Sequence, residues 1–547
     1  MQANVLVKTV MNRSGLTILG ITTLMGGILS SPVGTPSAQA NNTARMIPLS
    51  AEESFDAVIL PIFNTDPNLG LTTAEEPPML SPARLEPSGS FPVDLENLQI
   101  EAQEEPQVLP DLEIEIEPTT APSVVSYDKG VRDYKEGAYE RAIAHFDAAI
   151  AADANYAAAY VFRAAAKLKL GDPTAAMSDY VMATTVSPDY ALAYFAKGAL
   201  FYQMGEFAAA MENFEQAVTL NPEYIAAYNY WGLAEAAVGN YEGALVHYDR
   251  ALSLDPKYAP AHVRRGAALI ELREYNTAIT HLTIAINNSD KYASAFLNRA
   301  VAYYHLGTFS AALKDINRAI DINSDSVEAF YNRSHIYAAL GRPNDALADI
   351  NTVLTRQPDS VEAYMTRGSL YSAQGNSSAA IADFNRVIEL DAYSSAAYEQ
   401  RAKARLNNNN IAEAIADFDS ALSLNPIDEG IYKGRADAYA IYGNLPAAIS
   451  DYTYAIELNN NNAAAYAARG RALYESGDAH SAYQDFSYII RQNSAASADV
   501  YYYRGLSLIA IGDSSAAQDD LQIAAERYLA EGEANGYRAV LNKMRQL

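Results

Sequence analysis

Arg163, Arg265, Arg299, Arg333, Arg367, Arg401, Arg435, Arg469 and Arg504 share one register of this chain. Eight of them are followed sixteen residues later by an aspartate: Asp179, Asp315, Asp349, Asp383, Asp417, Asp451, Asp485 and Asp520. Two chemistries fit such columns. Free guanidinium groups would form a ladder for anionic ligands, whereas guanidinium groups already forked onto carboxylates would be structural ion pairs. The sequence itself discriminates between them. The aspartate never stands in this column without the arginine, and the registers that lack it carry Lys129 with His145, Lys197 with Asn213, Trp231 with His247 and Arg265 with His281. Residue types that change together predict partners, and an engaged guanidinium is a poor ligand site.

Other reactive residue types are sparse. The chain has no cysteine, so it has no thiolate metal site, cysteine nucleophile or disulfide. Its seven histidines include His145, His247 and His281 in the aspartate column, and none stands in zinc-ligand or triad spacing. His305 and His335 come from adjacent repeats, but two imidazoles alone make a poor metal site. No glycine-rich phosphate loop is present. The expectation is a protein with no catalytic residues, metal or cofactor. A net charge of -27 also argues against a nucleic-acid partner, because phosphate contacts need a basic surface.

The elements that hold these columns repeat every 34 residues, in eleven windows from residue 123 to 496 and, after the extra Ser497, a twelfth at 498–531. The eighth residue of each window is small (Gly232, Gly266, Gly368), the twentieth is alanine from Ala142 through Ala517, and the 24th is large and apolar from Phe146 through Leu521. Glycine inside a helix costs about 1 kcal/mol relative to alanine, so its recurrence predicts a second helix approaching closely. The fifteenth residue is glycine in ten windows, Asn409 in one and Arg273 in one, which marks a left-handed helix end. Pro173, Pro343 and Pro446 open second helices, and Pro188, Pro222, Pro256, Pro358 and Pro426 follow their ends. Two antiparallel helices per window result, with residue seven facing residue 23.

Tyr228, Gly232, Gly239, Tyr241, Ala244, Tyr248, Ala251 and Pro256 of the fourth window fall on the signature positions of the tetratricopeptide repeat family, which residues 123–531 resemble throughout. The resemblance implies an all-α fold, a right-handed α-solenoid of about 12 helix pairs, with residues 532–547 as a C-terminal capping helix. It also implies that first helices line a concave groove for a peptide or partner segment. On that basis the expected partner-binding residues are Leu168, Phe195, Tyr202, Tyr230, Leu233, Val263, Ile270, Leu297, Val301 and Tyr304, an apolar stripe either open to a hydrophobic segment or, in a tight superhelix, buried against neighbouring repeats. Windows seven to eleven place Glu328, His335, Glu362, Ser369, Glu399, Lys403, Lys433, Asp437, Arg471 and Glu475 on the same face. The 34th residue changes too, from tyrosine (Tyr156 to Tyr292) to polar types (Ser326 to Asn462). Asn298, Asn332 and Gln400 form a column whose amides suit the backbone of an extended peptide.

Ahead of the array, Lys8 and Arg13 precede an apolar run at 16–29, and Ala38-Gln39-Ala40 offers small residues for cleavage. Residues 1–40 therefore read as a Sec-type signal peptide, too short in its apolar run to span a bilayer. Residues 41–126 carry 16 acidic residues against Arg45 and Arg84, a net of -14, and 12 of the 23 prolines, which predicts a disordered acidic linker. Residues 55–63 (FDAVILPIF) and 112–117 (LEIEIE) form islands within it, either sticky spots in a spacer or a docking peptide for a partner or for this chain's own groove. The whole reads as an exported interaction scaffold of the cell envelope, in the periplasm, thylakoid lumen or extracellular space. Its partners are expected to be proteins or peptides, with no membrane insertion after signal cleavage, and its end repeats offer a route to self-association. The alternative is a structural component of an export or outer-membrane assembly complex.

Overall fold

The structure is a computed structural model that describes residues 10–12, 15–17, 121–493 and 496–547. The chain divides into two units, Met1–Leu49 and Ser50–Leu547. In the first, Val10–Asn12 and Gly15–Thr17 pair as antiparallel strands with Val10 opposite Thr17. The last residues of the expected linker are corrected, because the helix Pro122–Lys135 begins within them; the rest of the linker and the signal peptide otherwise lie outside the described residues.

The second unit contains 25 helices among its described residues, running from Pro122–Lys135 to Ala534–Met544. They alternate as first and second helices of twelve repeats, each packed on the helix before and after it. In repeat 3 the pair is Ala191–Gln203 and Phe207–Leu220; in repeat 8 it is Val361–Ala373 and Ser377–Leu390. This is the α-solenoid of helix pairs that the 34-residue period predicts. A Cβ placed on Gly232 would stand 2.6 Å from the Tyr248 ring, and one on Gly368 would stand 2.6 Å from the ring of Phe384. The eighth residue is small because the 24th of the same repeat fills its space, and two layers of helix meet at that contact.

The turn between the two helices closes on the fifteenth residue. Gly205 and Gly239 have φ of 76° and 79°, and Asn409 and Arg273 adopt the same left-handed conformation at 62° and 61°. Arg273 therefore holds a backbone that costs a residue with a Cβ about 1 kcal/mol or more. At the C-terminus, Ala534–Met544 closes the array through buried Val540, with Gly536 against the Tyr528 ring.

Helix starts differ along the array. Before repeats 7 to 11 the N-cap residue is Ser326, Ser360, Ser394, Asp428 or Asn462, and each side chain accepts a backbone N–H of the first turn. Before repeats 2 to 6 it is Tyr156, Tyr190, Tyr224, Tyr258 or Tyr292, which makes no such bond. Tyrosine at this position contributes its ring instead: Tyr156 lies 5.0 Å from Tyr127, and Tyr224 lies 5.0 Å from Phe195. The cap bond, about 1 kcal/mol, is exchanged for an aromatic contact of similar size plus the area it buries.

Candidate functional site

Arg367 of repeat 8 shows what the arginine column does. Its Nε donates to Asp383 Oδ2 at 2.8 Å and its Nη2 to Asp383 Oδ1 at 2.7 Å, a two-bond fork across the helix pair. Its Nη1 points the other way and donates to Asn351 Oδ1 of the preceding repeat at 2.7 Å. Forks of the same kind join Arg163 to Asp179, Arg299 to Asp315, Arg333 to Asp349, Arg401 to Asp417, Arg435 to Asp451, Arg469 to Asp485 and Arg504 to Asp520. The hydrogen bond to Asp383 is the largest of the causes that hold the Arg367 guanidinium protonated above its ordinary range. With all of these aspartates buried, the column is occupied by its own carboxylates and offers no ladder to an anion.

The backward reach of Nη1 was not anticipated. It meets Asp147 from Arg163, Thr283 from Arg299, Asn317 from Arg333, Asn385 from Arg401, Asp419 from Arg435 and Thr453 from Arg469. Each arginine thus ties its own second helix to that of the repeat before it. The signal was present: the 25th position is a short polar residue wherever an arginine follows, and Val181 where Lys197 follows. After Ser497 the register slips by one. The residue sixteen before Arg504 is Tyr488, which donates instead to the Asn460 carbonyl, and the Ser487 hydroxyl is buried with no partner.

Of the repeats without the aspartate, repeat 4 keeps the facing pair in another chemistry. The Trp231 and His247 rings stack at 4.0 Å. In repeat 5, Arg265 reaches back to Asp249 at 2.7 Å, while His281 turns to His262, with 3.0 Å between the two Nδ1 atoms. His262 Nε2 lies 3.1 Å from the Pro256 carbonyl, which can only accept, so in the neutral pair His281 Nδ1–H donates to His262 Nδ1. Burial is the main cause that lowers His281 to about 4, and it lowers His262 as well. His305 stacks on Tyr275 and His335 lies edge-on to Tyr331. Among the described residues no group of three or more metal-ligating side chains converges.

The side chains of the expected apolar stripe are covered in the structure. Phe195, Tyr202, Tyr230, Leu233, Val263, Ile270, Leu297, Val301 and Tyr304 are all buried, and Leu168 is half-buried. They are not an open surface. Part of the reason is size: the Phe195 ring fills the boundary between repeats 3 and 4, against Phe214, Tyr224 and, edge-on at 5.4 Å, Tyr230. Tyr202 likewise lies 5.4 Å from Phe207. Of the amide column, Asn298 and Asn332 are buried and Gln400 is half-buried, so the column is not a uniform exposed row.

The same face is open further along the array. Lys403, Arg471 and Glu475 are exposed, and Glu328, His335, Glu362, Ser369, Glu399, Lys433 and Asp437 are half-buried. Lys403 meets Glu399 at 2.8 Å, Lys433 meets Asp437 at 2.8 Å, and Tyr452 donates to the second oxygen of Asp437 at 2.6 Å. Arg471 lies over the Tyr503 ring at 5.0 Å. Such exposed pairs are worth at most about 1 kcal/mol each, so a partner's charges can replace them. No helix among the described residues is long and apolar enough to cross a membrane.

The comparisons agree with this architecture. Tetratricopeptide repeat models match residues 263–327, 331–397 and 400–463 and residues 191–224, and a TPR repeat model matches 232–272. The chain belongs to the tetratricopeptide repeat family, whose members are typically protein-interaction scaffolds. No curated protein matches it significantly. Solved structures with the same kind of fold include a tetratricopeptide repeat protein from Parabacteroides merdae, 22% identical, covering 45% of this chain and 97% of that one with a TM-score of 0.37. YrrB, described as a TPR protein with an unusual peptide-binding site, is 22% identical over 34% of this chain and 97% of its own, with a TM-score of 0.30. Yeast Tom70 is 16% identical over 77% and 96%, with a TM-score of 0.37.

Proposed function

We propose that this chain is an exported, non-enzymatic scaffold of the cell envelope that holds a protein or peptide segment along the first helices of repeats 7 to 11. One observation carries the reading: this stretch of the first-helix face is charged and open, while the forked arginines behind it are already engaged. A rigid array with an accessible face of mixed charge recognises by complementarity and positions what it binds. Export rests on the basic residues, apolar run and small residues of the first 40 positions.

The test uses the full chain and a Lys403→Glu, Arg471→Glu variant as baits in a native envelope extract. Both side chains are exposed, so the variant should melt like the parent. A specific prey held by the parent and lost by the variant supports the groove; equal capture by both rejects it. N-terminal sequencing of the fractionated protein should begin at Asn41. A second reading, a spanning component of an assembly complex, draws on the exposed Tyr393 and Ile427, which occupy the same position in the loops after repeats 8 and 9. It predicts capture that survives the groove variant and fails with Tyr393→Ser and Ile427→Ser.

A further inference from the structure

Arg471 differs from arginines that lie over rings elsewhere in the array. Arg367 covers Tyr364 at 5.3 Å but is forked onto Asp383, Arg342 covers Tyr337 at 4.5 Å but is paired with Asp345, and Arg527 covers Tyr501 at 4.8 Å but donates to the Ala496 carbonyl. Arg471 is exposed on the first helix of repeat 11, Ala463–Glu475, with the Tyr503 ring at 5.0 Å, and no carboxylate among the described residues pairs with it. Glu475 stands one turn further along the same helix, exposed and outside every ion pair of the described residues. The cation rests on a ring while the nearest carboxylate in sequence stays open, in keeping with the weaker order of a helical pair when the positive residue comes first.

The ring it rests on belongs to an aromatic cluster at the repeat 12 end. Tyr503 is the sixth residue of repeat 12, where repeats 10 and 11 have Gly434 and Ala468. Its ring stacks 6.0 Å from that of buried Phe486, with Tyr502 at 5.5 Å and Tyr474 at 6.2 Å, both near edge-on. Tyr502 in turn lies 6.4 Å from Tyr528, whose hydroxyl donates to Oδ1 of the exposed Asp499. Tyr474, Tyr502 and Tyr503 are half-buried, so part of each ring is open. Burial is the main cause that raises the Tyr503 hydroxyl above its ordinary range; Arg471 opposes it, and Glu475 and Asp499 add to it, so both carboxylates act on this ring. With Arg469 and Arg504 forked onto Asp485 and Asp520, the first helices of repeats 11 and 12 keep one uncommitted cation, Arg471, against two carboxylates. The cluster has room for one more positive charge.

We propose that the rings of Tyr502 and Tyr503, with the carboxylates of Glu475 and Asp499, receive the guanidinium of an arginine side chain on a partner polypeptide. Arg471 is the stand-in that shows the ring accepting this group. A guanidinium is planar and weakly hydrated, so it stacks on an aromatic face while its N–H groups reach carboxylate oxygens at the edge. A quaternary ammonium has no N–H to offer the two carboxylates, and the compact ammonium of lysine holds its water more strongly. A partner carboxylate that draws Arg471 aside would vacate the Tyr503 face for the incoming group. This deepens the scaffold reading, on which it rests for the partner being a polypeptide.

The test titrates N-acetylarginine amide, N-acetyllysine amide and tetramethylammonium onto the full chain and reads each Kd by ligand-observed NMR. Arginine should bind about fivefold more tightly than either of the others. Tyr503→Leu, which keeps an apolar contact on Phe486, should weaken arginine binding about fivefold, and Glu475→Gln about threefold. Arg471→Ala removes the stand-in and should strengthen it about threefold. Glu475 and Arg471 are exposed, so these two variants keep the fold even if Tyr503→Leu does not. Arginine and lysine binding alike, with no response to Glu475→Gln or Arg471→Ala, would mean diffuse attraction to an acidic chain and would overturn the proposal. Tightest binding by tetramethylammonium would overturn it too, by assigning the rings to alkylammonium ligands. The probe carries no partner segment, so its failure leaves the capture test of the charged face standing, and a failed capture leaves the probe's result standing.

Discussion

Repeats 3 to 6 and repeats 7 to 11 share a backbone and differ in what that backbone presents. In the first set the inward register is Phe195, Leu233, Val263, Leu297 and their neighbours, all buried, and the helices begin at tyrosines whose rings join the packing. In the second it is Glu399, Lys403, Lys433, Asp437 and Arg471, open or half-open, and the helices begin at side-chain caps. The forks between positions seven and 23 run through the second set from Arg333 onward, whereas in the first set only repeat 6 has one, at Arg299. What both sets share is the contact of a small eighth residue with a large 24th, as at Gly232 on Tyr248 and Gly368 on Phe384, which frees the remaining positions to diverge in chemistry without altering the fold.

Substitutions at one register should separate the halves most sharply. Phe195→Asp puts a carboxylate into a filled boundary and should cost about 4 kcal/mol, whereas Ser369→Asp, on the open face of repeat 8, should remain within about 0.5 kcal/mol. Urea denaturation of the two variants measures the gap, and similar losses would erase the distinction between buried and open halves. Asp383→Ala, which leaves Arg367 one of its three bonds, should cost about 3 kcal/mol, while Arg367→Met with Asp383→Leu should recover most of that loss in the same assay. Equal losses for the single and double variants would mean that the fork is not what the column provides.

Smaller effects test the helix starts and the exceptional fifth repeat. Ser360→Ala should cost about 1 kcal/mol by removing a cap, and Tyr224→Ala should cost at least as much by emptying the ring contact on Phe195, both read from melting curves. In repeat 5, His281 is lowered to about 4 from an ordinary value near 6.5, so the unfolded chain takes up that proton first. Its contribution is complete above about pH 6.5 and is lost as the pH falls toward 4. His281→Asp, facing Arg265, should flatten the decline in melting temperature between pH 6.5 and 4.5. Arg273→Gly relieves a left-handed arginine and should gain about 0.5 kcal/mol, the smallest change of the set.

The period of 34, the helix pairs, their turns and the forks were legible because each is a local or near-local demand repeated twelve times. A glycine at position eight, a large residue at 24 and a left-handed fifteenth residue each carry a steric requirement that a single chain displays in register. The bridge from arginine to the preceding repeat was legible in principle, in the short polar residue at position 25, and was missed because it joins neighbours rather than partners within one window. Burial of Phe195 and Leu233 was one of two readings the sequence left open. The sequence determined which residues share the inward face and that one half of it is apolar; only the tertiary structure decided that this half is closed and the other open. Hydropathy gives a residue's preference for leaving water, but whether it has left depends on what lies across from it in space, and a pattern along one helix does not contain that information.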